Sequence, residues 1–381
     1  MPTDIAPNRV TLALAGLAAA GVEIVDLTQS NPTDAGIEYP SDLLSALSTP
    51  ASMKYEPQPF GLDAARQAVS DDFSRRGRLV PPARIVLTAS TSEAYSLLFK
   101  ILCDPGEQVL VPRPSYPLFE HLARLDSVVA SPYVLDYHGG WRVDMESVRA
   151  ALTPATRALV IVSPNNPTGS CLHPEDLSEL SRLACDRGFA IIGDEVFADY
   201  PMEDGRCWPS VLDAEGVLAF SLGGLSKSVG LPQLKLGWIA AAGPDPQVGE
   251  ALARLEIACD AYLSVSTPVQ HASGKLLSAG AAVRSAILTR VRDNHRVLSV
   301  AVSRYPACRL LPVEAGWYAV LQVPARRTEE ETVISLLCEE HVLVHPGYFF
   351  DFPREAFLVT SLLPPQDRFE TAVERLLMHV S

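Results

Sequence analysis

Between residues 84 and 242 the chain alternates short, almost wholly apolar runs with amphipathic stretches. "RIVLT" (84–88) precedes "SEAYSLLFKILC", "EQVLVP" precedes "PLFEHLARL", and "RALVIVSP" precedes "PEDLSELSRLACDRG". "FAIIGDEV", "VLAFSLGG" and "LGWIAAA" follow. Apolar runs without polar alternation predict strands buried on both faces, and helices between them predict an α/β fold with a parallel sheet covered on both sides. Sites in such sheets lie beyond the carboxyl ends of the strands. The loops "TASTS", "PSYP", "SPNNPTG", "DEVF" and "GGLSK" are therefore expected on one rim. After residue 245 the texture changes to long helices (246–260, 280–304), then to the strands "GWYAVLQV" and "AFLVTSLL" around a helix. This predicts a second, smaller α+β domain. The expected division is an N-terminal segment 1–40 packing with the small domain, a large domain 41–275 and a small domain 276–381.

A length of 381 residues exceeds one ordinary core and suits two. The net charge of −14 argues against a nucleic-acid partner, which requires a basic face. No stretch approaches the ~20 apolar residues of a membrane span. "TLALAGLAAAGVEIVDL" is expected to be a helix of the folded protein and not a cleaved leader. Asp4 and a lone Arg9 make a poor basic start, and Glu23 and Asp26 follow at once. The seven cysteines are scattered and never spaced C-x-x-C, which reads as reduced core residues of a cytoplasmic protein. Only His341 and His345, in "HVLVH", show H-x-x-x-H spacing, and no metal is expected.

Several residues stand where chemistry could occur. Ser90, Thr91 and Ser92 lie where strand 84–88 gives way to a helix, and Ser90 with Glu93 has capping-box spacing. The free N–H groups and dipole of a helix start attract an anion, although a well-capped helix would read the same way. Asn166 before Pro167 has the composition of a turn. Asp194 follows a run that should be buried, so its carboxylate needs a partner. Lys227 sits in a small-residue turn between two apolar runs, a costly place for an amine, and Lys235 follows.

Taken in order, "YEPQPFGLDAARQAV", "LTASTSEAYSLL", "DPGEQVLVPRPSYP", "VSPNNPTG", "GDEVF" and "GLSKSVGLPQLKLGW" resemble the class I/II aminotransferases of the fold type I pyridoxal-phosphate enzymes. The resemblance runs from "LTQSNPT" to the last helix. It implies that Lys227 forms the Schiff base with the cofactor aldehyde, its amine made neutral by partial burial, and shuttles the substrate proton. It implies that Asp194 pairs with the pyridine nitrogen so that the ring accepts electrons. Asn166 would donate to the ring oxygen, Tyr116 would stack on the ring, and Ser90, Thr91 and Ser92 would hold the phosphate. Tyr55 would reach in from a partner subunit, which implies a homodimer with shared sites.

Four positions depart from the family pattern. Phe197 replaces the tyrosine usual beside the ring oxygen. Lys235 replaces the arginine that clamps the phosphate, keeping the charge without the bidentate fork. Ser30 replaces a glycine, and Val359 stands where an arginine usually binds the substrate carboxylate. Another cation must then take that carboxylate. Arg354, five residues earlier on the turn entering the same strand, is the first candidate and Arg113, three residues before Tyr116, the second, helped by Asn166 and the backbone near Ser30 and Asn31. The implied reaction exchanges an amino group between an amino acid and a 2-oxo acid. A lyase or decarboxylase on the same scaffold is the alternative.

Overall fold

The computed structural model describes residues 6–381; Asp4 lies outside them. Apolar runs of the middle region form an eight-stranded sheet: β1 (Ile85–Thr88), β2 (Gln108–Arg113), β3 (Val129–Tyr137), β4 (Trp141–Val143), β5 (Thr156–Val162), β6 (Ala190–Asp194), β7 (Ala219–Gly224) and β8 (Gly237–Ala242). Their spatial order is β1-β8-β7-β6-β5-β2-β3-β4. Successive residues of a strand enter different cores, as the two-residue period requires. In β5, Leu159 and Ile161 join one apolar cluster while Ala158 and Val160 join the other. Helices cover both faces, which is why these runs are apolar throughout.

The sheet is mixed. Pairs β2–β3, β2–β5, β5–β6 and β6–β7 are parallel. "LGWIAAA", expected among parallel strands, is β8 and runs antiparallel to both neighbours. The segment 225–236 makes no crossover: Leu225 N–H donates to Leu236 O at 2.9 Å, so the chain turns back on itself. At the other edge β3 and β4 form an antiparallel pair that no apolar run announces. β3 carries Pro132 and alternates exposed with buried residues, a pattern that suits a strand near an edge.

A second, four-stranded antiparallel sheet comprises β9 (Arg309–Leu310), β10 (Tyr318–Gln322), β11 (His345–Pro346) and β12 (Phe357–Ser361), in the order β9-β10-β12-β11. The long helices form over Asp245–Asp260 and Ala281–Val302, with a further helix Thr267–Ala279 between them. Helix Gln366–Val380 buries Phe369, Val373, Leu376, Leu377 and Val380, one stripe at helical spacing. The N-terminal stretch forms helix Arg9–Ala19, with the Asn8 side chain accepting from Thr11 N–H at 2.8 Å. Val25–Asp26 then pairs in parallel with Val342–Leu343, and Leu27 O accepts from Ser361 N–H at 2.6 Å. This pairing leads residues 27–31 off the second sheet towards Lys227.

Candidate active site

β2, β5, β6 and β7 run parallel, and β1 shares their direction because β8 reverses between β1 and β7. Their carboxyl ends therefore form one rim, followed in turn by Arg113 to Tyr116, Asn166, Asp194, Lys227 and Ser90. Thr88, Gly237 and Gly224 lie in register across three strands at that rim. This register brings together Ser90, just after Thr88, Lys235, just before Gly237, and Lys227, just after Gly224. A Cβ on Gly237 would lie 3.0 Å from Thr88 Oγ1 and 3.1 Å from the Ser90 carbonyl carbon. The missing side chain is what lets the Ser90 turn close over the sheet.

Ser90 is the N-cap of helix Thr91–Leu102, its Oγ accepting from Glu93 N–H at 3.2 Å. The reciprocal bond differs from a simple capping box, since Glu93 Oε2 accepts from Ala89 N–H at 2.5 Å. Thr91 and Ser92 occupy the first turn, where N–H groups have no acceptor within the helix. Their donors, with the exposed Lys235 near in register, are the groups available to cradle an anion.

Asp194 ends β6. Its Oδ1 accepts from Val196 N–H at 3.2 Å and its Oδ2 from the Tyr95 hydroxyl at 3.1 Å. Burial raises this carboxyl to about 6, against the two hydrogen bonds that lower it. Its neighbour Glu195 has a different task. Glu195 is buried and accepts from Ser210 Oγ, Val211 N–H and Ser221 Oγ at 2.7–2.8 Å, tying the loop after β6 to β7. Lys227 lies in a one-turn helix after β7, held from below by the Tyr200 hydroxyl, which donates to Lys227 O, and by Arg284 Nε, which donates to Ser228 O at 2.9 Å. Its Nζ lies 3.4 Å from Ser30 O, 4.9 Å from the Trp317 ring centroid and 5.7 Å from that of Phe197. Burial lowers the amine to about 8, opposed by the Asp194 charge.

The loops bearing Tyr116 and Asn166 are sewn together by Asn165. Its Nδ2 donates to Pro114 O at 3.1 Å and to Thr168 Oγ1 at 2.8 Å, and its Oδ1 accepts from Ser115 Oγ at 3.0 Å. Asn166 itself is buried, and its Oδ1 has no hydrogen-bond partner. Tyr116 is 47 % exposed at the mouth and Tyr55 is 72 % exposed. Phe197 is buried against Trp317 and Tyr318. The Ser30 side chain faces the Tyr318 hydroxyl. The Asn31 side chain is consumed by its own turn, accepting from Thr33 N–H at 3.1 Å and donating to Asp34 at 2.7 Å, so only its backbone is left for a ligand.

Val359 is fully buried in β12, opposite Val320 and His345. Neither candidate arginine replaces it from the same strand position. Arg113 Nε lies 3.3 Å from Asp351, and the Arg354 guanidinium stands 5.5 Å from the Phe357 ring centroid. Tyr95, Tyr200, Trp317 and Tyr318 are site neighbours that sequence reasoning did not single out. Each reads as an ordinary core aromatic, and only the fold shows where its polar end points. Among the described residues, no group of three or more His, Cys, Asp or Glu could hold a metal ion, and no helix is long and apolar enough to cross a membrane.

The arrangement can take an anion at the Ser90 cradle, a protonated ring nitrogen at Asp194 and an aldehyde at Lys227. Fold and site thus describe a pyridoxal-phosphate enzyme. Residues 23–376 match the family Aminotransferase class I and II, and the chain belongs to that family. It is 26 % identical over 370 residues to the glutamate-pyruvate aminotransferase AlaA of Escherichia coli K12, covering 95 % of this chain and 91 % of the relative. It is 27 % identical over 378 residues to an alanine aminotransferase of Mycobacterium bovis, covering 95 % and 86 %. A crystal structure of an Escherichia coli aminotransferase superposes with a TM-score of 0.88 at 25 % identity, covering 100 % of this chain and 98 % of that one. The protein is a pyridoxal-phosphate-dependent aminotransferase. The residues present fit that cofactor: among the described residues no hydrogen bond engages the amide of buried Asn166, whose Nδ2 can donate to a ring oxygen, and the Gly237 approach keeps the anion cradle seated.

Proposed function

We propose that the protein moves the amino group of an amino acid to a small 2-oxo acid, with Lys227 capturing the cofactor aldehyde and carrying the proton at the substrate Cα. The observation that carries this reading is geometric: the Lys227 amine stands 3.4 Å from Ser30 O on the rim where Tyr95 and Val196 hold the Asp194 carboxylate. Burial raises that carboxyl to about 6 and lowers the amine to about 8. Such an amine is roughly a tenth neutral at pH 7, against under a thousandth for an ordinary lysine. Pyridoxal phosphate, when bound, supplies an electron-accepting ring. Asp194 would hold the ring nitrogen, Asn166 the ring oxygen and Tyr116 a ring face, while Phe197 would line the ring without donating to it. Ser90, Thr91, Ser92 and Lys235 would hold the phosphate.

Relatives named for alanine and for glutamate and pyruvate support a small 2-oxo acid as acceptor. The substrate carboxylate goes to Arg113, which stands at the rim three residues before Tyr116 and exchanges Asp351 for the ligand. Arg354 is the second candidate, and the Ser30, Asn31 backbone and Asn166 share the load. Tyr55, largely exposed, completes the site of a second copy, so the working form is a homodimer. The division at residues 40 and 275 rests on the two separate sheets. The seven cysteines are free but not all in the core as expected, since Cys185, Cys207 and Cys338 are exposed; their free state supports a cytoplasmic location.

The test is a half-reaction screen. Holoenzyme is mixed with each amino acid in turn, cofactor absorbance is followed, and products are separated. Stoichiometric formation of the matching 2-oxo acid is expected. Release of ammonia or carbon dioxide in its place would make the enzyme a lyase or decarboxylase.

A further inference from the structure

The helix that begins at the anion cradle also reaches Asp194. Tyr95 lies one turn beyond Thr91 on helix Thr91–Leu102 and is only 3 % exposed. Its ring is wedged edge-on against Phe119, with centroids 5.3 Å apart at 82°, and packs on Phe99 at 5.9 Å. So clamped, the hydroxyl lies 3.1 Å from Asp194 Oδ2, while Val196 N–H occupies Oδ1 at 3.2 Å. We propose that Tyr95 is a positioning residue for the cofactor site: its hydroxyl, donated to Oδ2, fixes the plane of the Asp194 carboxylate and keeps it ionised.

Burial and the adjacent carboxylate push the Tyr95 hydroxyl well above its ordinary value, so it stays protonated at every working pH and acts as the donor of the pair. A hydrogen bond given to the charged form of an acid favours that form. Here it opposes the burial that drives Asp194 towards neutrality. One donor on each oxygen, from two different elements, leaves no free rotation about the Cβ–Cγ bond. Each oxygen retains a lone pair for a cationic N–H. A single helix therefore fixes both poles of the site. Its first turn presents the Ser90–Ser92 donors, and its second sets the orientation of the carboxylate. This gauge tolerates little change, because Tyr95 is packed on both sides.

The proposal rests on Asp194 being the ring-nitrogen partner, and the test separates the two. Tyr95→Phe keeps the ring and its packing and removes only the hydroxyl. In cofactor-free protein carrying 13C-labelled aspartate, the Asp194 signal is assigned by its loss in Asp194→Asn. Its titration midpoint is expected to rise by about one pH unit in Tyr95→Phe. An unchanged midpoint, in a variant that unfolds at the wild-type temperature, overturns the proposal. Retention is then measured for pyridoxal phosphate and for its deaza analogue, in which carbon replaces the ring nitrogen. Tyr95→Phe should weaken retention of the first roughly tenfold and leave the second unchanged. A raised midpoint with both cofactors weakened equally would support the hold of Tyr95 on Asp194 and overturn the ring-nitrogen role of Asp194.

Discussion

Lys227 and Asp194 are moved towards each other's range by one cause, removal from water, and each carries a cost to the fold. The Asp194 carboxyl rises from an ordinary 3.8 to about 6, so the folded chain binds the proton more tightly than the unfolded chain does. Stability from this group is therefore fully present below 3.8 and is lost as pH rises through 6. Lys227 falls from 10.5 to about 8, so its penalty is full below 8 and is relieved as pH rises towards 10.5. Cofactor-free Asp194→Asn should accordingly be more stable than the wild type at pH 7, by up to about 3 kcal/mol, with the gain shrinking towards zero near pH 4. Urea unfolding at the two pH values measures this, and a gain independent of pH would show that the carboxylate is not strained. Turnover in the same variant should fall by orders of magnitude. Arg113→Ala should raise the KM for amino acids far more than it lowers kcat, because a carboxylate clamp acts equally in ground and transition states. Steady-state kinetics decide it: an unchanged KM in Arg113→Ala with a raised one in Arg354→Ala would transfer the role to Arg354. Lys227 and Asp194 were legible in sequence because charged residues ending apolar runs demand an explanation. Tyr95 was not, since a tyrosine on the buried side of a helix looks like any core aromatic.

At the level of elements, the rim was legible and the sheet only partly so. Apolar runs located β1, β2, β5, β6, β7 and β8, and the loops after them gathered as expected. Strand direction is another matter, because an apolar run reads the same in either sense. β8 became antiparallel through the turn 225–236, whose Leu225–Leu236 bond no periodicity reveals. That reversal makes the close approach at Gly237 matter, since it puts β8 between the Ser90 turn and the Lys227 helix. Gly237→Ala places a methyl 3.0 Å from Thr88 Oγ1 and 3.1 Å from both Gly223 O and the Ser90 carbonyl carbon. Two of these are backbone atoms that cannot swing aside. The variant is expected to lose about 1–3 kcal/mol of stability through overpacking and to retain pyridoxal phosphate less well, as the cradle is lifted off the sheet. Thermal unfolding and equilibrium dialysis test the two effects. Wild-type cofactor affinity in a destabilised variant would separate the packing role of Gly237 from the anion site.

Across the whole molecule, the site is built by contacts that join distant stretches of chain. Ser115 N–H donates to Phe350 O at 3.0 Å and Arg113 meets Asp351, so the loop bearing Tyr116 is clasped by the segment just before β12. Lys227 meets Ser30 through the N-terminal stretch that leaves the second sheet. Such pairings span most of the chain, and local sequence pattern carries no trace of them. One member of the proposed site is still unplaced by these internal contacts: Tyr55, 72 % exposed, follows Met53, which is 90 % exposed. Two large side chains so near each other gain by being covered, and a second copy of the chain supplies the cover in an isologous pair. If Tyr55 serves the partner's site, two inactive variants can restore each other. Lys227→Ala keeps a good Tyr55, and Tyr55→Ala keeps a good Lys227, so a mixed dimer has one site with both residues and one with neither. Equal mixing with free subunit exchange makes half the dimers mixed, each with half its sites intact, so about a quarter of wild-type activity should return. Native mass spectrometry establishes that mixed dimers have formed. If they form and activity stays at the level of the separate variants, Tyr55 acts within its own chain or takes no part in the site.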